Sequence, residues 1–209
     1  MWRIPSISTD PAYAKDCDAA ATWLVKELTS MGFVAKAHAT PGRPMVVAHY
    51  TPDGASAKTP HALFYGHYDV QPVDPLELWH SKPFEPVLKD GRLYGRGTSD
   101  DKGQLMTFVE AARAWIETVG ELPIKATFLI EGEEESGSPS LVPCLKAHKN
   151  ELACDIAFVC DTNMWDEKTP AITTRLRGLV HEEVEVTGPA PALHSGLYGV
   201  PAGNPSKAL

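Results

Sequence analysis

Residues 124–138 read IKATFLIEGEEESGS. An apolar, strand-like run, Ile124–Ile130, ends in four glutamates: Glu131, Glu133, Glu134 and Glu135. Like charges this close repel, and a carboxylate drawn out of water needs a partner. A short apolar strand that delivers its charge only at its carboxyl end fits a sheet covered on both faces. It also asks what offsets that charge.

The flanking sequence repeats the pattern. SISTDPAYAKDCDAAATWLVKELTSMGF reads as a helix, capped by Thr9 or Asp10, with Pro11 in its first turn and Gly32 as its stop. Cys17, Ala21, Leu24, Leu28 and Met31 give it one apolar face. Strands are expected at Phe33–Ala37, Met45–Tyr50, Ala62–Tyr65 and Asp155–Cys160, and a hairpin around Asp90-Gly91. Lys102–Gly120 is a second helix, with Leu105, Val109, Ala112 and Ile116 on one face, and Ser138-Pro139 opens a third that reaches about Asn150. Helices alternating with short apolar strands predict an α/β domain, a mainly parallel sheet with helices on both faces. From Leu179 the pattern changes. LVHEEVEVTGP alternates Val180, Glu182, Val184 and Val186 against charged neighbours, which predicts a half-exposed strand opening a second domain. Residues 1–178 are therefore one domain and 179–209 the start of another, ending at NPSKAL in what reads as the middle of a helix.

Composition narrows the function. With 209 residues, 43% hydrophobic and 22% charged, the chain is of ordinary globular make-up. A formal charge of -8 argues against nucleic acid as a partner, because that binding needs a basic surface. The four cysteines form no CxxC pair and read as buried thiols in a reducing compartment, hence the cytoplasm. MWRIPSISTDP lacks both a basic leader and an apolar core, so no signal peptide is expected. No apolar run approaches about 18 residues, so no membrane span is expected either.

His67, the Glu133–Glu135 run and Asp161 each lie just past the carboxyl end of an expected strand, and Asp100 lies in the loop before the second helix. In open α/β sheets that rim is where ligands bind. Each residue has a plainer reading alone. A histidine after a strand is usually structural, and an acidic run is usually a solvated cluster. Asp100 and Asp101 can cap the second helix, Asp161 can cap a turn, and His194 is an ordinary loop histidine. Together, at one end of one sheet, they offer imidazole nitrogen and carboxylate oxygen, the ligand set of zinc or manganese. Asp69 in His-x-Asp can fix the imidazole of His67.

The motifs GHYDVQP (66–72), LYGRGTSDDKG (93–103), EGEEESGS (131–138), FVCDTNMW (158–165), ITTRLRG (172–178) and ALHSGLYG (192–199) resemble the two-metal aminoacylase, carboxypeptidase and dipeptidase superfamily, in its carnosinase-like dipeptidase branch. The resemblance runs in order across nearly the whole chain. It implies two divalent metal ions, with zinc favoured over manganese. His67 and Asp161 would ligate one metal, Asp100 would bridge the two, and Glu135 would bind the second. Glu134 would be the general base and Asp69 would hold the His67 ring. His194 would polarise the scissile carbonyl, and Arg175 or Arg177 would bind a substrate carboxylate. The Asp100-Asp101 peptide is cis in similar proteins. The implied activity is hydrolysis of a dipeptide or short peptide by a homodimer whose second domain is a lid or dimerisation domain. An N-acyl-amino-acid deacylase would use the same chemistry.

One departure matters. The family draws a further histidine ligand from near the end of a chain about twice as long, whereas no histidine comes after His194 here. GVPAGNPSKAL also departs from the glycine- and alanine-rich run usual after HSG. The chain is therefore expected to be an N-terminal portion, weakly active or inactive alone. A non-catalytic metal-binding module and a metal-free acidic α/β domain stand as the readings from other classes.

Overall fold

The computed structural model describes residues 1–159, 161–189, 193, 194 and 197. Cys160 and the helix expected around NPSKAL lie outside the described residues. The chain forms two units, Met1–Pro170 and Ala171–Leu209.

In the first unit Asp10 caps a 3-10 turn, Pro11–Tyr13, by accepting the Ala12 amide at 2.8 Å. The turn runs into α1, Ala14–Ser30, whose Cys17, Ala20, Ala21, Leu24 and Leu28 are buried. Gly32, at φ +89°, ends it, a conformation that costs glycine nothing. α2 spans Lys102–Val119 and buries Leu105, Met106, Val109 and Ala112. α3, Leu141–Ala147, is shorter than expected. The chain first turns at Ser138, at φ +53°, and cannot be helical there.

The strands are β1 (Val34–His38), β2 (Met45–Tyr50), β3 (His61–His67), β4 (Val87–Lys89), β5 (Arg92–Tyr94), β6 (Lys125–Glu131) and β7 (Ile156–Val159). β4 and β5 are the expected hairpin around Asp90-Gly91. The other five make one sheet in the order β1-β2-β6-β3-β7. It is an α/β sheet with helices on both faces, and it is mixed. β3 runs parallel to β6 and β7, while β1–β2 and β2–β6 are antiparallel. The short link from His38 to Met45 leaves no room for the crossover that a parallel pair needs.

α1 and α2 cover one face, packing on Val46, Ala48, Ala126, Phe128 and Ile130. Cys144 of α3 and Leu152 cover Met45, Val47, Leu63 and Leu129 on the other. Phe128 sits edge-on to Phe33 at 5.5 Å and stacks on Phe64 at 5.3 Å. Each such buried side chain contributes about 1.5–3 kcal/mol of transfer free energy.

In the second unit, residues 171–189 form neither helix nor strand, and Ile172, Leu176, Leu179, Val180 and Val184 are exposed. The strand expected at Leu179–Pro189 is not formed. A strand needs a neighbour for its N–H and C=O groups, and none pairs with it among the described residues. Also among the described residues, no helix is long and apolar enough to cross a membrane.

Two outcomes test this packing. Phe128→Ala should cost about 3–5 kcal/mol in urea unfolding, and a loss below about 1 kcal/mol would mean that the neighbouring rings close the cavity. Burial pushes the Cys17 thiol up to about 11, whereas Cys154, expected to be buried, is exposed just before β7. Iodoacetamide on the native protein should therefore modify Cys154 and spare Cys17, read by peptide mass spectrometry.

Candidate metal centre

β3 and β6 end side by side, with His67 paired to Glu131 across the parallel ladder. Both side chains are fully buried. Beyond β3 the residues alternate. Tyr68 turns into the core, where its hydroxyl donates to the Pro44 carbonyl at 2.7 Å. Gly132 lies under that ring, and a Cβ on it would come within 2.2 Å of Tyr68.

Asp69 turns toward His67. Its carboxylate, fully buried, lies 3.2 Å from His67 Nδ1, and its main-chain oxygen lies 3.1 Å from the same nitrogen. The two carboxylate oxygens also accept the amides of Glu134 at 3.2 Å and Glu135 at 3.1 Å. Asp69 thus ties the end of β3 to the 3-10 turn Glu134–Ser136. With the Nδ1 proton given to Asp69, His67 presents Nε2 to the rim. There it meets Asp100 Oδ1 at 3.1 Å, Asp161 Oδ2 at 3.8 Å and Glu134 Oε2 at 3.9 Å.

Asp100 reaches this point from the loop before α2, and the Asp100-Asp101 peptide is cis. Asp101 does not cap the helix with its side chain. Its Oδ2 accepts the main-chain amide of His67 at 2.9 Å. One ligand atom each from His67, Asp100 and Asp161 lies within 4.8 Å of the others. Glu135 is held at the same rim by Gln71 Nε2 at 2.8 Å. Glu133 turns elsewhere, buried against Gly42, where a Cβ would overlap its carboxylate at 1.6 Å. His194, Arg175 and Arg177 belong to the second unit and are exposed.

The electrostatics arise from burial. Desolvation raises the pKa of Glu134, Glu135 and Asp161, and pushes Asp101 up to about 7. Burial alone would lower the His67 imidazole. The Asp69 hydrogen bond and charge, backed by Asp101 and Glu134, outweigh it and carry His67 up to about 10. The rim therefore stabilises positive charge at Nε2. A divalent cation would take the place of that proton, on hard oxygen donors and one imidazole, so the residues present fit a zinc or manganese ion. His67, Asp100 and Asp161 would hold it.

The contacts made by Glu131, Asp101, Gln71 and Tyr65 escape sequence reading, although Glu131 and Asp101 stand out there as charges. Glu131 is also marked by its place at the end of β6. The other three act through contacts that no periodicity announces.

The chain is similar to known proteins. Residues 63–200 match the family described as Peptidase family M20/M25/M40. The Cys-Gly metallodipeptidase dug1 of Schizosaccharomyces pombe is 33% identical over 209 residues, 94% of this chain and 43% of its own. The Beta-Ala-His dipeptidase of Rattus norvegicus is 34% identical over 161 residues, 76% of this chain and 32% of its own. Among solved structures, the di-peptidase Dug1p from Saccharomyces cerevisiae superposes with a TM-score of 0.75 at 25% identity, over 99% of this chain and 46% of that one. Human carnosine dipeptidase 1 gives a TM-score of 0.71 at 28% identity, over 78% and 37%. The chain thus belongs to Peptidase family M20/M25/M40, a family that includes metallodipeptidases, and sits in its carnosine dipeptidase and Dug1 branch. It spans less than half the length of these relatives.

Asp69→Ala would leave two turn amides without their acceptor and the His67 imidazole without its buried counter-charge, with only the main-chain oxygen of residue 69 still facing Nδ1. It should destabilise the fold by about 3 kcal/mol or more in chemical denaturation, since one partner of a buried pair is lost. A change under about 1 kcal/mol would show that water replaces the carboxylate.

Proposed function

We propose that the chain is the metal-binding portion of a dipeptidase that hydrolyses the amide bond of dipeptides or short peptides. The observation that carries this reading is the convergence of His67, Asp100 and Asp161 within 4.8 Å, with Glu134 Oε2 3.9 Å from the same imidazole nitrogen. Two divalent cations, zinc rather than manganese, would supply Lewis acidity to a carbonyl and lower the pKa of a water molecule. His67 and Asp161 are assigned to one cation, Asp100 to both and Glu135 to the second.

The remaining roles belong to this chain's own groups. Asp69 keeps the Nδ1 proton on His67, so that Nε2 faces the rim. Glu134, partly exposed and not bonded to Asp69 through its side chain, takes a proton from the attacking water and returns it to the leaving amine. Desolvation supports this role, because it raises the Glu134 carboxyl toward the range where a base works near neutral pH. His194 is assigned to polarising the scissile carbonyl. Residues 179–209 are assigned to the start of a lid or dimerisation domain, and their exposed Leu179, Val180 and Val184 fit a surface that another element covers. A homodimer is the assembly this implies. The free thiols Cys17, Cys144 and Cys154 fit a reducing compartment such as the cytoplasm.

Elemental analysis of the purified protein after dialysis tests the reading. We expect bound zinc or manganese, lost in Asp100→Ala and Asp161→Ala. Equal metal in these variants, or none in the native chain, would overturn it. Turnover is compared on cysteinylglycine, β-alanylhistidine and an acetylated amino acid, with the dipeptides preferred. Preference for the acetylated compound would make the protein a deacylase. Glu134→Gln should abolish whatever turnover the chain shows alone while keeping the metal.

A further inference from the structure

Glu131 occupies the same rim without a role among the assigned ligands. It closes β6, is fully buried, and lies opposite His67 in the ladder. Its main-chain oxygen accepts the Tyr68 amide at 2.9 Å. Its side-chain Oε1 accepts two hydroxyls, that of Tyr65 and that of Ser138 at 2.9 Å. Ser138 stands just beyond the turn that carries Glu134 and Glu135. It has the left-handed φ of +53°, rare outside glycine, asparagine and aspartate. Its amide donates to the Glu133 carbonyl at 2.8 Å, and its own carbonyl accepts the Leu141 amide at 3.1 Å, where α3 begins. The turn is therefore held at both ends. Asp69 takes its first amides, and Glu131 takes the hydroxyl of the residue that reverses the chain after it. A buried carboxyl here costs free energy that an apolar residue would not, unless its bonds hold something in place.

We propose that Glu131 is a positioning residue: through Ser138 and Tyr65 its buried carboxyl sets the place of the turn that presents Glu134 and Glu135. Its consequence for chemistry rests on the metallodipeptidase reading, but the placement itself does not. An alanine at 131 removes the acceptor. A glutamine keeps one oxygen of the same shape, and Ser138→Ala removes the donor while leaving the carboxyl.

Amide hydrogen exchange by NMR, in the metal-free chain, is the test. In Glu131→Ala the Glu134 and Glu135 amides should exchange about tenfold faster or more, with Phe128 unchanged. Glu131→Gln should restore most of the protection. Ser138→Ala should move the same amides in the same direction, which decides the matter if the alanine at 131 does not fold. Zinc titration should show Glu131→Ala weakened about tenfold, again restored by glutamine. Unchanged exchange at Glu134 and Glu135 in both alanine variants would overturn the proposal. So would a glutamine variant no better than alanine. A native chain that takes up no zinc would overturn the metal reading instead, and the exchange rates would still decide the role of Glu131.

Discussion

The site depends on one buried carboxylate. Asp69 binds the His67 ring and the amides of Glu134 and Glu135 at once. It thereby joins the end of β3 to the turn after β6. Burying a lone carboxylate would be costly, and three donors around it make the burial tolerable. The same charge orients the imidazole and favours positive charge on its outer nitrogen. Geometry and electrostatics at the rim thus have a single source.

The sheet supplies the rest. Parallel pairing of β6, β3 and β7 brings three carboxyl ends to one edge. Glu131, His67 and Asp161 arrive there from segments far apart in the chain. The loop before α2 brings Asp100 to the same point. Phe64 and Phe128, stacked between the helices and the sheet, keep the strands in step beneath it. Carboxylates that would repel one another in isolation are held close by packing energy from below, which leaves a cation as the natural partner above.

Much of this was legible in the sequence, for a local reason. His67, Glu134 and Asp161 each come after an apolar run, and a strand's end is marked where the run stops. Asp69 was legible from the His-x-Asp spacing, which sets two side chains on one side of an extended chain. The alternation at Leu179–Pro189 misled, because period-two patterning says what a strand would bury and not whether a partner strand is present. Ser138 shortened α3 because its hydroxyl serves Glu131, a demand that helix propensity does not contain. Asp101 resembled a cap, yet its carboxylate turned to the His67 amide.

The sequence by itself determined the α/β class, the helix faces, the strand ends and the kinds of ligand available, because these depend on residue type and spacing over a few turns of chain. Only the tertiary structure decided that β2 runs antiparallel to both β1 and β6 in a mixed sheet, that Glu133 turns to Gly42 while Glu134 faces His67, and that Glu131 lies opposite His67. Those choices depend on the register between strands distant in sequence, and register is set by how whole elements pack rather than by any one stretch of residues.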